Sequence, residues 1–292
     1  MNESKTLQAK DWMRATSESL LSTLNLLQTF CPSWQTEKEN RDKQVAFVNN
    51  YVKETLLKLT NHHPVFGRPI IESGLFQNIR IESVADLQAG IAQKLFGVYE
   101  IEIKEDLERF LKNKYDYVLN IGAAEGLYSI VFSKAFPSTP VYSYEESYHT
   151  RKLFRKLCAI NNAENVEVLG RFDVEELDKL NSSFKGLVIC DCEGFENVIF
   201  SQANIQKFLK SDILIETHDH MVPGTTTNIR NILEKNFEVK IVEQMSLESR
   251  ASLIKEKAFN NLDIASKVAA LDEDRNPLNR WIVASPKINL NL

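Results

Sequence analysis

The side chains able to do chemistry concentrate between residues 122 and 220, in five short segments. These are Gly122-Ala-Ala-Glu-Gly126, Glu145-Glu146, Asp173, Asp191-Cys-Glu-Gly194 and Glu216-Thr-His-Asp-His220. Gly122 and Gly126 punctuate a turn that backbone can bring close to a ligand, because no side chain stands in the way. The carboxylates of Glu145, Asp173, Asp191 and Glu216 accept hydrogen bonds from hydroxyl or amine groups and favour cations. His218 titrates near neutrality, which makes it the first candidate for a general base. In an extended segment His220 would share its face and Asp219 would turn away. Asp191, Glu216 and His218 also offer two carboxylate oxygens and an imidazole nitrogen. That set could hold a divalent ion, magnesium or manganese, with open positions for a hydroxyl, although no short-range ligand spacing supports it. Glu193 and Glu196 flank Gly194 at a helix start and read as carboxylates favoured by the helix dipole. Cys190 and Cys192 read as small apolar packing groups.

The turn itself discriminates between nucleotides. A dinucleotide fingerprint is G-x-G-x-x-G, whose second glycine admits a pyrophosphate to the helix N-terminus. Ala124 stands at that second position and Glu125 sits beside the helix start. A carboxylate there repels a diphosphate and favours a ligand carrying positive charge. S-adenosylmethionine has an adenosine, a sulfonium and an ammonium, and no phosphate, so the turn leans towards it and away from NAD. Glu145 lies nineteen residues beyond Gly126, the distance at which an acid on the second strand meets ribose hydroxyls.

The elements that must position these residues are legible from hydrophobic patterning. Tyr117–Ile121 is a short apolar run that fits a buried parallel strand, and Leu127, Ile130, Val131 and Phe132 give the following helix an apolar face. Further strands are expected at Val141–Tyr144, Val166–Leu169, Leu187–Cys190, Ile213–Ile215, Val239–Val242 and Arg280–Ser285. Helices are expected over Ser147–Asn161, with Leu153, Leu157 and Ile160 inward, and near Thr226–Lys235. Alternation of strands and helices implies a mostly parallel, doubly wound sheet, in which ligands bind beyond the carboxyl ends of the strands. All five chemical segments fall at such ends.

Upstream, residues 5–60 read as two amphipathic helices broken at Cys31-Pro32-Ser33, and 64–82 as an irregular segment. Ser83 is placed to cap a third helix with Val84, Leu87, Ile91 and Leu95 on one face, closed by Gly97. A short helix over Ile103–Lys112 leads into the first strand. The expected organisation is a helical N-terminal cap over 1–112 and a Rossmann-like α/β domain over 113–292, with helices on both faces of its sheet. The polar span 246–274 is a candidate lid. The apolar face of the first two helices suits a homodimer as well as an intramolecular cap.

Composition sets the outer limits. The chain has 292 residues, 43% apolar and 26% charged, as an ordinary globular protein does. A formal net charge of −5 without a basic cluster argues against a nucleic-acid partner. No apolar run reaches membrane-span length, so no membrane partner is expected. The four cysteines show neither a disulfide framework nor a C-x-x-C metal pair, and a reducing cytoplasm is the expected location.

In combination, Val118-Leu-Asn-Ile-Gly-Ala-Ala-Glu-Gly-Leu-Tyr-Ser129, Tyr144-Glu145, Asn165-Val166, Val188-Ile-Cys-Asp-Cys-Glu-Gly-Phe-Glu196 and Ile213-Leu-Ile-Glu-Thr-His218 resemble the class I methyltransferases of the FkbM type. The resemblance covers about residues 116–242. It implies a Rossmann-like domain that binds S-adenosylmethionine and methylates hydroxyl groups of small polar acceptors such as secondary metabolites or sugars. It places Gly122, Ala123 and Gly126 around the donor's methionine portion and Glu145 at its ribose, and Glu125 beside the helix start is counted with the cofactor-binding residues. Asp173 falls near the adenine amine, and Asp191 faces the sulfonium and the incoming nucleophile. Rival readings are N-methylation of a small amine or amide, and a non-catalytic protein that retains a donor pocket.

Overall fold

The computed structural model describes residues 70–287 apart from 83, 88, 89, 256, 261–263 and 272–274. The two helices expected over 5–60, and the dimer face they would offer, lie outside the described residues, as does Ser83. The described chain divides into two compact units, residues 102–244 with 276–287 and residues 70–101 with 245–275.

In the N-terminal unit the expected third helix is two pieces. A 3-10 turn at Val84–Leu87 is separated from helix α1, Ile91–Phe96, by Gly90, whose φ of +65° belongs to the left-handed region. Gly97 closes α1 in the same conformation, as its position predicts. Helix α2, Lys104–Phe110, belongs to the sheet unit. It is tied there by Lys240 on Asp106 at 2.8 Å and by Arg109 donating to Ser285 at 3.0 Å.

The sheet unit is built from β1 Tyr117–Ile121, α3 Leu127–Ala135, β2 Val141–Tyr144, α4 Tyr148–Asn161, β3 Val166–Leu169, β4 Gly186–Cys190, α5 Glu196–Ile199, β5 Asp212–His218, α6 Thr225–Leu233 and β6 Phe237–Glu243. Helices α7 Leu247–Leu253, α8 Lys257–Asn260 and α9 Ile264–Leu271 follow, before β7 Asn279–Pro286. Those three helices are the candidate lid span. Their buried Ala251, Ile254, Phe259 and Leu271 share a small core with Val98, and Gln93 donates to the Leu271 carbonyl at 2.6 Å.

The strand order is β3-β2-β1-β4-β5-β7-β6. Strands β1 to β5 run parallel, and β7 runs antiparallel to both its neighbours. This is a Rossmann-like sheet with one antiparallel strand inserted beside its edge. Every residue of β1, β4 and β5 is buried, which is why stretches such as Leu187–Cys190 and Ile213–Ile215 are continuously apolar rather than alternating. Inside β1, Asn120 escapes the cost of a lone buried amide by donating to Ser129 of α3 at 2.8 Å, and Ser143 of β2 bonds the same hydroxyl at 2.8 Å. On α4 the inward residues are Phe154, Leu157, Cys158 and Asn161, with Leu153 and Ile160 only half-buried. The face is rotated because Phe154 fills the space against the glycine turn. From β1 the chain proceeds to β2 on one side, while β4 pairs on the other. The switch point of the sheet therefore lies between the carboxyl ends of β1 and β4, the place where open α/β sheets bind ligands.

Candidate functional site

Gly122 and Asp191 meet at that switch point. Asp191 donates its amide to the Ile121 carbonyl at 2.9 Å, which brings its own carbonyl against the turn. A Cβ on Gly122 would stand 1.5 Å from that oxygen, and the residue's φ is +79°. Gly126, at φ +87°, faces the Phe154 ring at 1.9 Å from where its Cβ would be. Both glycines answer to crowding and to backbone conformation at once.

The turn between them is held by its own amides. Gly122 and Ala123 both donate to the Tyr144 carbonyl at 2.9 Å, and Gly126 donates to Ala123 at 2.8 Å. Ala124, with φ +47°, donates to Oε2 of Glu145 at 3.0 Å, and Oε1 of Glu145 accepts from Ser147 at 2.7 Å. The Glu145 carboxylate thus bridges the turn to the start of α4, and Arg151 secures the segment by donating to the Glu145 and Glu146 carbonyls. Glu125 is buried at the entrance of α3. Asp173, past β3, is exposed, while its neighbour Phe172 packs edge-on against Tyr144 at 4.8 Å.

Strand β5 extends further than its apolar core suggests. It continues to His218, where it still pairs with Asn279 of β7. Asp219 then leaves the strand and accepts from the amides of Gly224 and Thr226, both at 3.1 Å, so its carboxylate satisfies backbone donors at the start of α6. His220 is exposed, with its ring 5.8 Å from that of His218.

His218 is buried, and Nδ1 lies 2.7 Å from Oε1 of Glu196. A carboxylate can only accept, so Nδ1 carries a hydrogen and Nε2 is the ring atom turned towards the other acids. Nε2 lies 3.5 Å from Oδ1 of Asp191 and 3.4 Å from Oε2 of Glu193. Glu196 is fully buried, and its Oε1 also accepts from the Gly194 amide at 3.0 Å. Burial is the largest single influence and opposes the charge on both partners, but their mutual bond and the surrounding charges and hydrogen bonds together outweigh it. The His218 pKa is raised above 6.5, with Glu216 and Glu193 adding to the effect of Glu196. The Glu196 carboxyl is held below 4.5 by His218 and the Gly194 amide.

The structure therefore converges Asp191, Glu193 and His218, whose ligating atoms lie within 4.8 Å of one another. Glu216 stands outside this group: its Oε1 accepts from Asn279 at 3.0 Å. Glu193 occupies the place in the cluster that sequence reasoning gave to Glu216. Glu196, read from sequence as a dipole residue, is the partner that orients the imidazole. The available signal was the placement of an acid at the first position of a four-residue helix directly after the β4 tip. Cys190 and Cys192 pack beside the cluster with Sγ atoms 3.4 Å apart, and burial raises the Cys190 thiol well above its ordinary pKa.

No family model and no curated protein matches the chain. Several solved structures are similar to it. The precorrin-6y C5,15-methyltransferase of Geobacter metallireducens is 17% identical, with 65% of this chain and 87% of that one covered at a TM-score of 0.43. A putative O-methyltransferase of Klebsiella pneumoniae is 11% identical, covering 64% and 79% at 0.43. The O-methyltransferase of Bacillus cereus in complex with SAH is 13% identical, covering 64% and 80% at 0.41. At these scores the likenesses add nothing to what the strand order itself establishes.

Proposed function

We propose that the chain transfers the methyl group of S-adenosylmethionine to an oxygen of a small polar acceptor. The observation that supports this reading most is the state of the turn at the switch point. The amides of Gly122, Ala123, Ala124 and Gly126 all donate to protein acceptors, one of them the Glu145 carboxylate. A pyrophosphate needs such amides free and meets a negative group instead. A donor that is cationic and lacks phosphate needs neither concession, so the chemistry of the residues fits S-adenosylmethionine and opposes NAD.

When bound, the donor supplies a methyl carbon already activated by its sulfonium. The chain's contribution is then alignment and exclusion of water. Gly122, Ala123 and Gly126 belong to the turn proposed to receive the methionine portion, with Glu125 supplying negative charge to the same donor site. Glu145, fixed by two amides, has acceptor capacity left for the ribose hydroxyls. Asp173 is proposed to lie towards the adenine. Asp191 and His218 are proposed to face the acceptor oxygen as it approaches and loses its proton.

Isothermal calorimetry with S-adenosylmethionine and with NAD tests the donor class. One molar equivalent of S-adenosylmethionine is expected to bind, with no heat from NAD. Binding of NAD without binding of S-adenosylmethionine overturns the reading.

A further inference from the structure

We infer that Asp191, Glu193 and His218 form a binding site for one divalent cation of the manganese type, with Glu196 orienting the histidine. Its role in activating the acceptor rests on the methyltransferase reading; its existence does not.

The distances suit ligands that share one cation. Nε2 of His218 stands 3.5 Å and 3.4 Å from the nearest oxygens of Asp191 and Glu193. Both separations exceed a normal hydrogen bond, which spans about 2.7–3.2 Å. They match two ligands of one cation, since bonds of roughly 2.0–2.2 Å put neighbouring donor atoms about 3.0–3.5 Å apart in octahedral or tetrahedral geometry.

The histidine supplies the second, independent sign. Its side chain is 2% exposed, Nδ1 is engaged by Glu196, and Nε2 points between the Asp191 and Glu193 carboxylates, 3.5 Å and 3.4 Å away. A carboxylate on the far nitrogen of an imidazole fixes the tautomer and ring direction that a metal requires, and raises the basicity of the ligating nitrogen. The exposures are graded to suit entry, from Glu196 at 0% through Asp191 at 34% to Glu193 at 71%. One side of the site is thus rigid and dry while the other opens to solvent, where further positions remain for water or a substrate oxygen.

Two carboxylate oxygens and one imidazole suit manganese better than magnesium, which prefers oxygen alone, or zinc, which favours nitrogen and sulfur. A hydroxyl entering an open position would be acidified there and release its proton to solvent. The resulting alkoxide would form the new oxygen–methyl bond as the sulfonium–methyl bond breaks, leaving the neutral thioether S-adenosylhomocysteine. In this arrangement Nε2 of His218 serves the cation and does not take the acceptor's proton.

The test is Mn(II) titration of the chelator-treated full chain, followed by electron paramagnetic resonance and calorimetry. One Mn(II) per chain is expected, with nitrogen hyperfine coupling from a histidine. Glu193→Gln, at an exposed side chain, should leave the melting temperature unchanged and weaken Mn(II) binding at least tenfold. Glu196→Gln should weaken it about 10- to 100-fold, as loss of an outer partner does. Absence of stoichiometric uptake, absence of nitrogen coupling, or equal affinity in wild type and Glu193→Gln would overturn the site. The same samples titrated with S-adenosylmethionine keep the two readings apart. Donor binding without Mn(II) uptake removes the cation site alone, and Mn(II) uptake without donor binding upholds the site while removing the methyltransferase reading.

Discussion

Replacing Gly122 by alanine is the most demanding test of the switch-point geometry, because two glycines elsewhere separate its components. At Gly170 no atom lies within 4 Å of an added Cβ and φ is not positive. Alanine there should be neutral, or stabilising by roughly 0.4–1 kcal/mol through the unfolded chain. At Gly224 space is again open but φ is +84°, so alanine should cost only the left-handed strain, about 1–2 kcal/mol. At Gly122 the same strain is joined by a Cβ 1.5 Å from the Asp191 carbonyl oxygen. Relief requires the ends of β1 and β4 to part, which breaks the Asp191-to-Ile121 hydrogen bond of 2.9 Å and disturbs a core with no slack. The expected cost exceeds about 4 kcal/mol, the range reached only by severe core damage. Thermal melting followed by far-ultraviolet circular dichroism checks the series, with about 2–4 °C per kcal/mol for a unit of this size. The expected order is Gly170→Ala unchanged, Gly224→Ala lower by a few degrees, and Gly122→Ala lower by more than ten degrees or unfolded. A Gly122→Ala protein melting within roughly 3 °C of wild type would refute the reasoning, since the turn would then not be pressed against the β4 tip.

Three other outcomes are expected. Glu145→Ala removes the acceptor for the Ala124 and Ser147 amides, and calorimetry should show S-adenosylmethionine binding weakened by about 10- to 100-fold, or about 1.4–2.8 kcal/mol; unchanged affinity would remove Glu145 from the donor site. Ser129→Ala strands Asn120 and Ser143 in the buried network and should cost about 1–3 kcal/mol by urea denaturation, whereas replacing all three residues by apolar groups of matching volume should recover most of that loss. Cys158 is a buried thiol whose pKa is pushed up to about 12 by desolvation. Because the thiolate is the reactive form, iodoacetamide at pH 8 should modify Cys158 in the folded chain roughly a thousandfold more slowly than a free cysteine of pKa about 8.5. The rate should rise tenfold per pH unit while the fold persists, and peptide mapping by mass spectrometry reads it.

How far the sequence discloses this protein depends on whether the deciding contact is local. Strands β1 and β2 fall where apolar runs and turn residues place them, because burial leaves a signal within four or five residues; β3, an edge strand with no fully buried residue, is marked by its β-branched valines and its bounding turns. Glu145 at the end of β2 is legible for the same reason, since its spacing from Gly126 is fixed by one βαβ step. The polar cluster depends on pairing across the sheet. Glu216 and His218 share a face of β5 by alternation, yet Asn279 arrives from β7, sixty-three residues later, and takes the Glu216 carboxylate. Glu196 looks like any acid at a helix start until His218 comes in from β5, twenty-two residues on, and makes it a fully buried partner. The split of the third N-terminal helix follows from Gly90 adopting positive φ, a choice glycine permits but does not announce.

The central claim is that the crevice between β1, β2 and β4 was shaped for a cationic adenosine cofactor and not for a dinucleotide. Diffraction from crystals grown with S-adenosylmethionine tests it most directly. The account predicts ribose density at the Glu145 carboxylate and the methionine portion along Gly122–Gly126, with the sulfonium directed towards Asp191. Adenosine lodged elsewhere on the sheet, or a phosphate group held by the amides of that turn, would contradict it.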